Sequence, residues 1–496
     1  MKYFLGIDQG TTGTTSIIFD EKWNICGKGY FEHKQYYPQP GWVEHNPEEI
    51  WDKTKESVAE ALNHAKINAN ELAAIGLDNQ GETCMIWDKK TGKPVYNAIV
   101  WQDRRTSKQA DELKDEYGDL IMQKTGLTID AYFSALKIKW ILENVPGTKE
   151  KAEKGDLLVG TLDTWLLWKM TGEKVYITDS STASRTMLFN IHTNQWDDEI
   201  LNFIGIPASI LPEIKTSSEI YGYTDQCFLD ARVPIAGSVV DQAAALFGQA
   251  CFDKGTVKTT YGTGCFMLMN TGDKPVYSNN GLLTTAVWSL NGKITYALDG
   301  GVYIGGAAVQ WLRDGIGIIN NASETEALAK SVPDTSGVYF VPAFSGLAAP
   351  YWDQYARGTM VGITGGTTRA HIVRATLEAI AYQVAENLEV MEKDSGIKIE
   401  TMRVDGGAVA NSFLMQFQAD ILGIPVDVPV ITETTALGAA YLAALGVGEL
   451  DSVDSIKNVW KLNKRYMPQT NENQRKTMME QWKKAVARSR NWIDKE

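Results

Sequence analysis

Residues 3–19 read YFLGIDQGTTGTTSIIF, an apolar run, a small polar turn and a second apolar run rich in β-branched residues. This pattern predicts two strands joined as a hairpin, with the turn at residues 8–14. A second stretch has the same form: residues 256–261 lead into Gly262-Thr263-Gly264, and the apolar residues 265–269 follow. The sequence therefore predicts two matching hairpins, one in each half of the chain.

Another pattern also occurs once in each half: a short apolar strand, a loop containing glycine, and a helix. Residues 233–236 enter Gly237-Ser238, and residues 241–247 continue with helical spacing. Residues 402–404 enter Asp405-Gly406-Gly407, and residues 411–421 do the same. This recurrence favours a duplicated α/β unit. We predict two domains, residues 1–250 and 251–496, each a mixed sheet flanked by helices, with a ligand cleft between them.

Composition excludes several classes of protein. The chain has 48 Lys and Arg against 61 Asp and Glu, a formal net charge of -13, which argues against an extended nucleic-acid surface. No apolar run approaches membrane-spanning length, and an acidic residue at position 8 comes too early for a signal peptide. The five cysteines are scattered without a C-x-x-C pair, so neither disulfides nor zinc are indicated. We expect a cytoplasmic protein without membrane insertion.

The turn at residues 8–15 has the chemistry of a phosphate site. Glycine lets the backbone approach a phosphate closely, and threonine adds a hydroxyl donor. Asp8, at the end of a strand, is placed to hold Mg²⁺ through water. One such turn is equally consistent with an ordinary hairpin, but a matching turn at 262–264 favours two loops gripping a polyphosphate. The P-loop, protein-kinase and dinucleotide patterns are all missing.

Eight segments together are specific enough to indicate a family. They are DQGTT (8–12), PQPGWVEH (38–45), NAIVWQDRRT (97–106), TASRT (182–186), YGTGCF (261–266), APYWD (349–353), VDGGAVAN (404–411) and TTALG (434–438). In one register over essentially the whole chain, they resemble the glycerol kinases of the FGGY carbohydrate kinase family. The resemblance implies two actin-like (ribonuclease H-like) ATPase domains, ATP as phosphoryl donor, Mg²⁺, and a small polyol as acceptor.

The resemblance also implies roles for particular residues. Asp241 would be the general base and, with Asp8, a ligand of Mg²⁺. Residues expected at the polyol are Gly81, Glu82, Trp101, Tyr132, Asp241, Gln242 and Phe266. Residues expected at the nucleotide are Thr11, Thr12, Gly13, Thr263, Gly306, Gln310, Gly407 and Asn411. The residues alone favour a different role for Asp241, a helix N-cap.

Two positions depart from the pattern of the glycerol kinases. The family usually carries an arginine where this chain has Gly81, and another where it has Thr15. The first normally donates hydrogen bonds to glycerol. Its loss is consistent either with compensated drift or with room for a different acceptor, such as a tetritol, dihydroxyacetone or a small ketose.

Three functional hypotheses remain at this point. The first is a metabolic kinase phosphorylating glycerol or a related acceptor. The second is an actin-like ATP-binding filament subunit or chaperone, although no polymerisation insert is evident. The third is a catalytically silent sensor, which the missing arginines support. A homodimer or homotetramer is expected only from the resemblance.

Overall fold

The computed structural model describes residues 2–494. The strands of the first half are β1 Tyr3–Gln9, β2 Gly13–Asp20, β3 Ile25–Glu32, β4 Glu44–His45, β5 Leu72–Asn79, β6 Cys84–Asp88, β7 Ala98–Ile99, β8 Leu157–Thr161, β9 Ile177–Asp179, β10 Phe189–Asn190, β11 Gln195–Trp196, β12 Glu213–Lys215, β13 Ser218–Tyr223 and β14 Pro234–Val240. Its helices are α1 Pro47–Ala65, α2 Ser107–Thr125, α3 Ser134–Asn144, α4 Thr148–Glu153, α5 Leu162–Met170, α6 Ser180–Ala183, α7 Asp198–Ile204 and α8 Asp241–Gly248.

The second half repeats the alternation of strands and helices. Its strands are β15 Val257–Tyr261, β16 Cys265–Gly272, β17 Leu283–Leu290, β18 Lys293–Val302, β19 Tyr339–Val341, β20 Thr359–Val361, β21 Met402–Asp405, β22 Val426–Pro429 and β23 Leu462–Tyr466. Its helices are α9 Gly306–Gln310, α10 Glu324–Lys330, α11 Arg369–Ser395, α12 Ser412–Leu422, α13 Thr434–Gly446, α14 Val453–Val459 and α15 Glu472–Ser489.

Two large mixed sheets have closely related topologies. The first has the order β13-β14-β5-β1-β2-β3, and the second has the order β17-β18-β16-β15-β21-β22-β23. In both, an antiparallel hairpin (β1–β2 or β15–β16) continues through a parallel neighbour (β5 or β21). The five strands β3-β2-β1-β5-β14 and β18-β16-β15-β21-β22 thus share order and polarity. The predicted duplication and both predicted hairpins are confirmed.

Helix α13 joins the two halves. Its sequence, TTALGAAYLAALG, is almost entirely small or apolar, so the helix can be buried on all sides. Glycines on three adjacent strands, Gly6, Gly76 and Gly237, allow it to lie directly on the first sheet. A Cβ at these positions would lie 2.1, 1.9 and 2.7 Å from backbone oxygens of α13. A helix from the second half is therefore part of the core of the first.

One predicted loop is wrong. Gly237 and Ser238 lie inside strand β14 and do not form a turn before α8. The glycine at 237 is explained by the close approach of α13 and not by a turn. The predicted helices at 241–247 and 411–421 are confirmed as α8 and α12. Because α13 crosses between the halves, the proposed domain boundary at residue 250 stays a prediction.

The helices carry no membrane signature. Within residues 2–494, none combines the length and the apolar character needed to cross a bilayer.

Candidate active site

The first Gly/Thr turn presents unused backbone donors. It is closed by the Gly10 amide, which donates to the Gly13 carbonyl at 3.0 Å. The amides of Thr11 and Thr12 have no hydrogen-bond partner within the described residues 2–494. Gly13 is required by crowding, since a Cβ there would lie 2.5 Å from the Phe31 carbonyl oxygen. Free N–H groups on a tight turn form a nest for an anion.

The second turn, at residues 262–264, has the same hydrogen-bond pattern and is held in place by helix α9. The Gly262 amide donates to the Gly264 carbonyl at 2.9 Å, and the Thr263 amide has no acceptor in the part of the chain that the structure describes. At the start of α9, the Gly306 amide donates to the Gly262 carbonyl at 2.9 Å. Thr263 and Gly306 thus lie close together, and their contacts with a nucleotide stay predictions. Gln310, at the other end of α9, is exposed.

The Gly406-Gly407 segment packs against the second turn. Gly406 has φ +89°, and a Cβ there would lie 2.5 Å from the Tyr261 carbonyl oxygen. Gly407 is exposed and begins a short 3₁₀ helix over Gly407–Ala410. The Asn411 side chain caps α12 through the Leu414 amide (3.0 Å). Contacts of Gly407 and Asn411 with a nucleotide stay predictions.

Three aspartates meet at one edge of the first sheet. Asp8 on β1 and Asp78 on β5 are partners in the parallel register, and Asp78 is in turn the partner of Val239, two residues before Asp241. The carboxyl ends of adjacent parallel strands form the edge where ligands of α/β sheets bind. The Asp8 Oδ2 accepts from the Thr435 hydroxyl at 2.7 Å, which fixes it against α13.

Asp78 is a carboxyl group that sequence reasoning missed. It is fully buried, its carboxyl group is the hydrogen-bonding neighbour of the Asp8 carboxyl, and neither of its oxygens accepts from a donor group among residues 2–494. Burial, followed by the charges of Asp8 and Asp241, raises the pKa of Asp78 well above its usual value. Burial and the clustering of three carboxyl groups at this edge thus act in the same direction on the pKa of Asp78.

Asp241 is a carboxyl group with a raised pKa at this edge of the sheet. Burial raises the pKa of Asp241 to about 6, while the charge of Lys258 acts in the opposite direction. Asp241 is the first residue of α8, and the N-cap position is occupied by Val240. The alternative that Asp241 is an N-cap is therefore wrong. Its Oδ1 accepts from the adjacent Gln242 amide at 2.6 Å.

Lys258 and Gln242 stand beside this base. Lys258 is fully buried on β15, and its Nζ donates to Gln242 Oε1 at 2.5 Å and to Thr260 Oγ1 at 2.9 Å. Gln242 Nε2 lies 3.3 Å from Asp241 Oδ2. A residue of the second half thus orients a predicted acceptor-binding residue of the first.

Glu82 is paired with a buried arginine. The Arg185 Nε donates to Glu82 Oε1 at 2.7 Å, and its Nη1 donates to Asp299 Oδ2 at 3.0 Å. The guanidinium carbon lies 5.7 Å from the ring centroid of Tyr132. Arg185 was within a family-like segment, but nothing in the sequence indicated that it would reach Glu82. The missed residues Lys258, Arg185 and Asp299 depend on contacts between distant parts of the chain.

Two aromatic residues come from opposite halves. Trp101 lies 5.7 Å, centroid to centroid, from Tyr132, and its Nε1 donates to Thr11 Oγ1 at 2.9 Å. It therefore connects the first Gly/Thr turn to the residues around Glu82. Phe266 lies on β16 opposite Gly301, beside the second turn.

The space beside Gly81 is smaller than its sequence suggests. Gly81 has φ +86°, and a Cβ there would lie 2.8 Å from Val240 Cγ2 and 3.5 Å from Arg185 Cγ. The stem of Arg185 already occupies one side of this position. Glycine at 81 is therefore explained by backbone conformation and packing, and the hypothesis of an enlarged acceptor pocket loses its basis.

Comparison with known proteins decides the family. Residues 3–248 match the N-terminal domain of the FGGY family of carbohydrate kinases, and residues 257–447 match its C-terminal domain. The chain belongs to the FGGY family of carbohydrate kinases. As an FGGY kinase it is an enzyme, so the filament-subunit and silent-sensor hypotheses are not supported.

This FGGY kinase has relatives that match along its full length. Glycerol kinase 2 of Thermotoga maritima is 60% identical, covering 99% of both chains. The glycerol kinase of Deinococcus radiodurans is 57% identical, covering 99% of this chain and 98% of the relative. The crystal structure of Plasmodium falciparum glycerol kinase with ADP superimposes with a TM-score of 0.93 at 40% identity, covering 99% and 98% of the two chains. The predicted fold class is confirmed.

The FGGY kinase has a donor set that fits Mg²⁺. Asp8 and Asp241 place carboxylate oxygens, the preferred ligands of this hard cation, at the same sheet edge. Across the described chain, no group of three or more His, Cys, Asp or Glu side chains is arranged to hold a metal ion.

Proposed function

We propose that this FGGY kinase transfers the γ-phosphoryl group of ATP to a terminal hydroxyl of glycerol, giving glycerol 3-phosphate and ADP. The observation that carries the proposal is the end-to-end match to two glycerol kinases at 60% and 57% identity. Bound ADP in the Plasmodium relative supports ATP as the phosphoryl donor.

Asp241 is assigned the role of general base. A new bond forms between the glycerol oxygen and the γ-phosphorus, while the bond from that phosphorus to the β,γ-bridging oxygen breaks. The electron pair of the broken bond leaves with ADP, and the hydroxyl proton passes to the Asp241 carboxylate. A pKa near 6 leaves this carboxylate largely ionised at neutral pH, ready to accept the proton.

The two turns supply positioning for the nucleotide. The free amides of Thr11, Thr12 and Thr263 are proposed to bind the phosphate oxygens, with Gly13, Gly306, Gln310, Gly407 and Asn411 contributing to the nucleotide site. Because phosphoryl transfer requires little covalent chemistry from the protein, positioning and charge stabilisation carry most of its catalysis.

Mg²⁺ is proposed to be held at Asp8 and Asp241. When bound, it would neutralise phosphate charge that builds up during transfer. The Thr435 hydroxyl keeps the Asp8 carboxylate oriented from α13.

Glycerol is proposed to lie among Glu82, Tyr132, Gln242 and the rings of Trp101 and Phe266. A carboxylate and an amide match its hydroxyls, and aromatic faces match its carbon chain. Gly81 contributes close packing at the edge of this site. A larger acceptor is not favoured, because the Arg185 stem lies against Gly81. The cytoplasmic location and the homodimer or homotetramer stay predictions.

A coupled ADP-release assay with and without glycerol tests this function. We expect ADP release that depends on glycerol and yields one glycerol 3-phosphate per ADP. Hydrolysis independent of glycerol, or binding of ATP and glycerol without turnover, would contradict the proposal. The specificity constants kcat/KM for erythritol, dihydroxyacetone and a ketose should be lower than that for glycerol. If one of these compounds gave a higher value, that compound and not glycerol would be the preferred acceptor.

A further inference from the structure

Arg185 bonds carboxylates from both halves of the chain. It follows helix α6, and its side chain is only 7% exposed. Glu82, in the first half, accepts from its Nε at 2.7 Å, and Asp299, on strand β18 of the second half, accepts from its Nη1 at 3.0 Å. Buried charge pairs with good geometry hold their members in one orientation.

Packing fixes the guanidinium further. The rings of Tyr132 and Phe133 lie 5.7 and 5.6 Å from its central carbon. Its stem runs past Gly81, where a Cβ would lie in van der Waals contact with it, 3.5 Å from the Arg185 Cγ. Arg185 therefore has one defined position in the structure.

This position leaves a donor and an acceptor side by side. The Nη2 group of Arg185 and the Oε2 atom of Glu82 make no hydrogen bond to any residue from 2 to 494. Neither belongs to the fully buried polar atoms that lack a partner, so neither atom is completely buried. The Nε–Oε1 bond holds the two groups as neighbours. Adjacent hydroxyls of a polyol can accept from one and donate to the other.

We propose that Arg185 is an acceptor-binding residue whose Nη2 donates to a glycerol hydroxyl, and that Asp299 is a positioning residue acting through it. The acceptor site is then completed by a carboxylate of the second half. This inference rests on the proposed function and extends it, because neither residue was predicted to act at the acceptor.

The experiment compares wild type, Arg185→Lys, Asp299→Asn and the double variant. We expect Arg185→Lys to lower kcat/KM for glycerol about 10²-fold, because a lysine cannot keep both the Glu82 bond and the donor position. The KM for ATP should change less than about twofold, as expected when only acceptor contacts are lost. Asp299→Asn should cost about tenfold alone and add little to Arg185→Lys, since residues acting as one unit are non-additive.

A second readout separates binding from a merely structural role. Propane-1,2-diol and propane-1,3-diol each lack one hydroxyl of glycerol, and wild type should discriminate against both. In Arg185→Lys, the ratio of kcat/KM for glycerol to kcat/KM for one of the two diols should shrink at least about tenfold. The reason is that the donor that binds the missing hydroxyl has been lost. Arg465→Lys is the control: Arg465 pairs with Asp427 on the outer strands β22 and β23, and we expect its kinetics to match wild type.

The outcomes are distinguishable. If the wild-type protein releases no ADP in response to glycerol, the proposed function itself is contradicted. Normal wild-type turnover, with unchanged diol discrimination in Arg185→Lys or additive effects in the double variant, would overturn only the role of Arg185 and Asp299. If Arg185→Lys does not fold, Asp299→Asn decides alone: a raised KM for glycerol with unchanged KM for ATP supports the inference, and unchanged kinetics contradict it.

Discussion

Lys258 Nζ donates a hydrogen bond to Gln242 Oε1 at 2.5 Å, and this bond determines which end of the amide faces Asp241. With Oε1 engaged, the Nε2 donor is directed toward Asp241 Oδ2, 3.3 Å away. Lys258 lies on the second sheet and Gln242 on the helix that follows the first. The proposed acceptor site is therefore assembled from both halves.

Replacing this lysine should impair use of the acceptor. In Lys258→Met the amide is free to rotate, so we expect kcat/KM for glycerol to fall about 10- to 100-fold, the usual consequence of a misplaced binding group. Steady-state kinetics with varied glycerol at saturating ATP measure this. Lys124→Met is the control. It removes a lysine that pairs with Asp197 and Glu199 and has no role in the proposed site, so it should keep wild-type kinetics. Wild-type values for Lys258→Met would show that Gln242 needs no such support.

The pH dependence should report the Asp241 carboxylate. Burial raises the pKa of Asp241 to about 6. The base must be ionised to accept a proton, so kcat/KM should be constant above that pKa and fall tenfold per pH unit well below it. Because the charge of Lys258 lowers the pKa of Asp241, Lys258→Met should shift the acidic limb of the kcat/KM profile to higher pH. A limb that does not move in the variant would contradict the assigned interaction.

Gly81 should be intolerant of any side chain. Its φ of +86° disfavours a Cβ, and that Cβ would also lie 2.8 Å from Val240 Cγ2. Gly81→Ala should therefore lower the free energy of unfolding by about 2–4 kcal/mol, combining backbone strain with overpacking. Gly147→Ala is a matched control, since Gly147 has φ +77° and no described atom within 4 Å of the point that an alanine Cβ would occupy. Denaturant titrations should show a larger loss in the free energy of unfolding for Gly81→Ala than for Gly147→Ala. Equal losses would mean that the Val240 side chain moves aside without an energetic cost.

The local patterns were predictable because they depend on residues close in sequence. Glycine and threonine between apolar runs predicted both hairpins, and helical spacing predicted α8 and α12. Gly237 shows where this reasoning fails, since its glycine serves contact with α13, almost 200 residues later. A glycine required by a distant helix has the same local sequence as a glycine required by a turn.

The candidate site was predictable only in part for the same reason. Asp241 and Gln242 could be assigned through family resemblance, whereas Lys258 could not be recognised before β15 was placed beside α8. Likewise, the pairing of Arg185 with Asp299 joins residues 114 positions apart. Asp78 lay in an ordinary apolar strand pattern, and its neighbours Asp8 and Asp241 come from strand β1 and from the start of helix α8.

In the proposed reaction, the Asp241 carboxylate removes the proton from the glycerol hydroxyl during phosphoryl transfer. The most direct measurement is the rate of glycerol 3-phosphate formation from ATP and glycerol, followed by phosphorus NMR, in wild type and Asp241→Asn. Asparagine has nearly the same shape and cannot accept the proton, so we predict a fall of about 10³-fold with an unfolding temperature no lower than that of wild type. Formation of glycerol 3-phosphate at the wild-type rate by folded Asp241→Asn would contradict the mechanism.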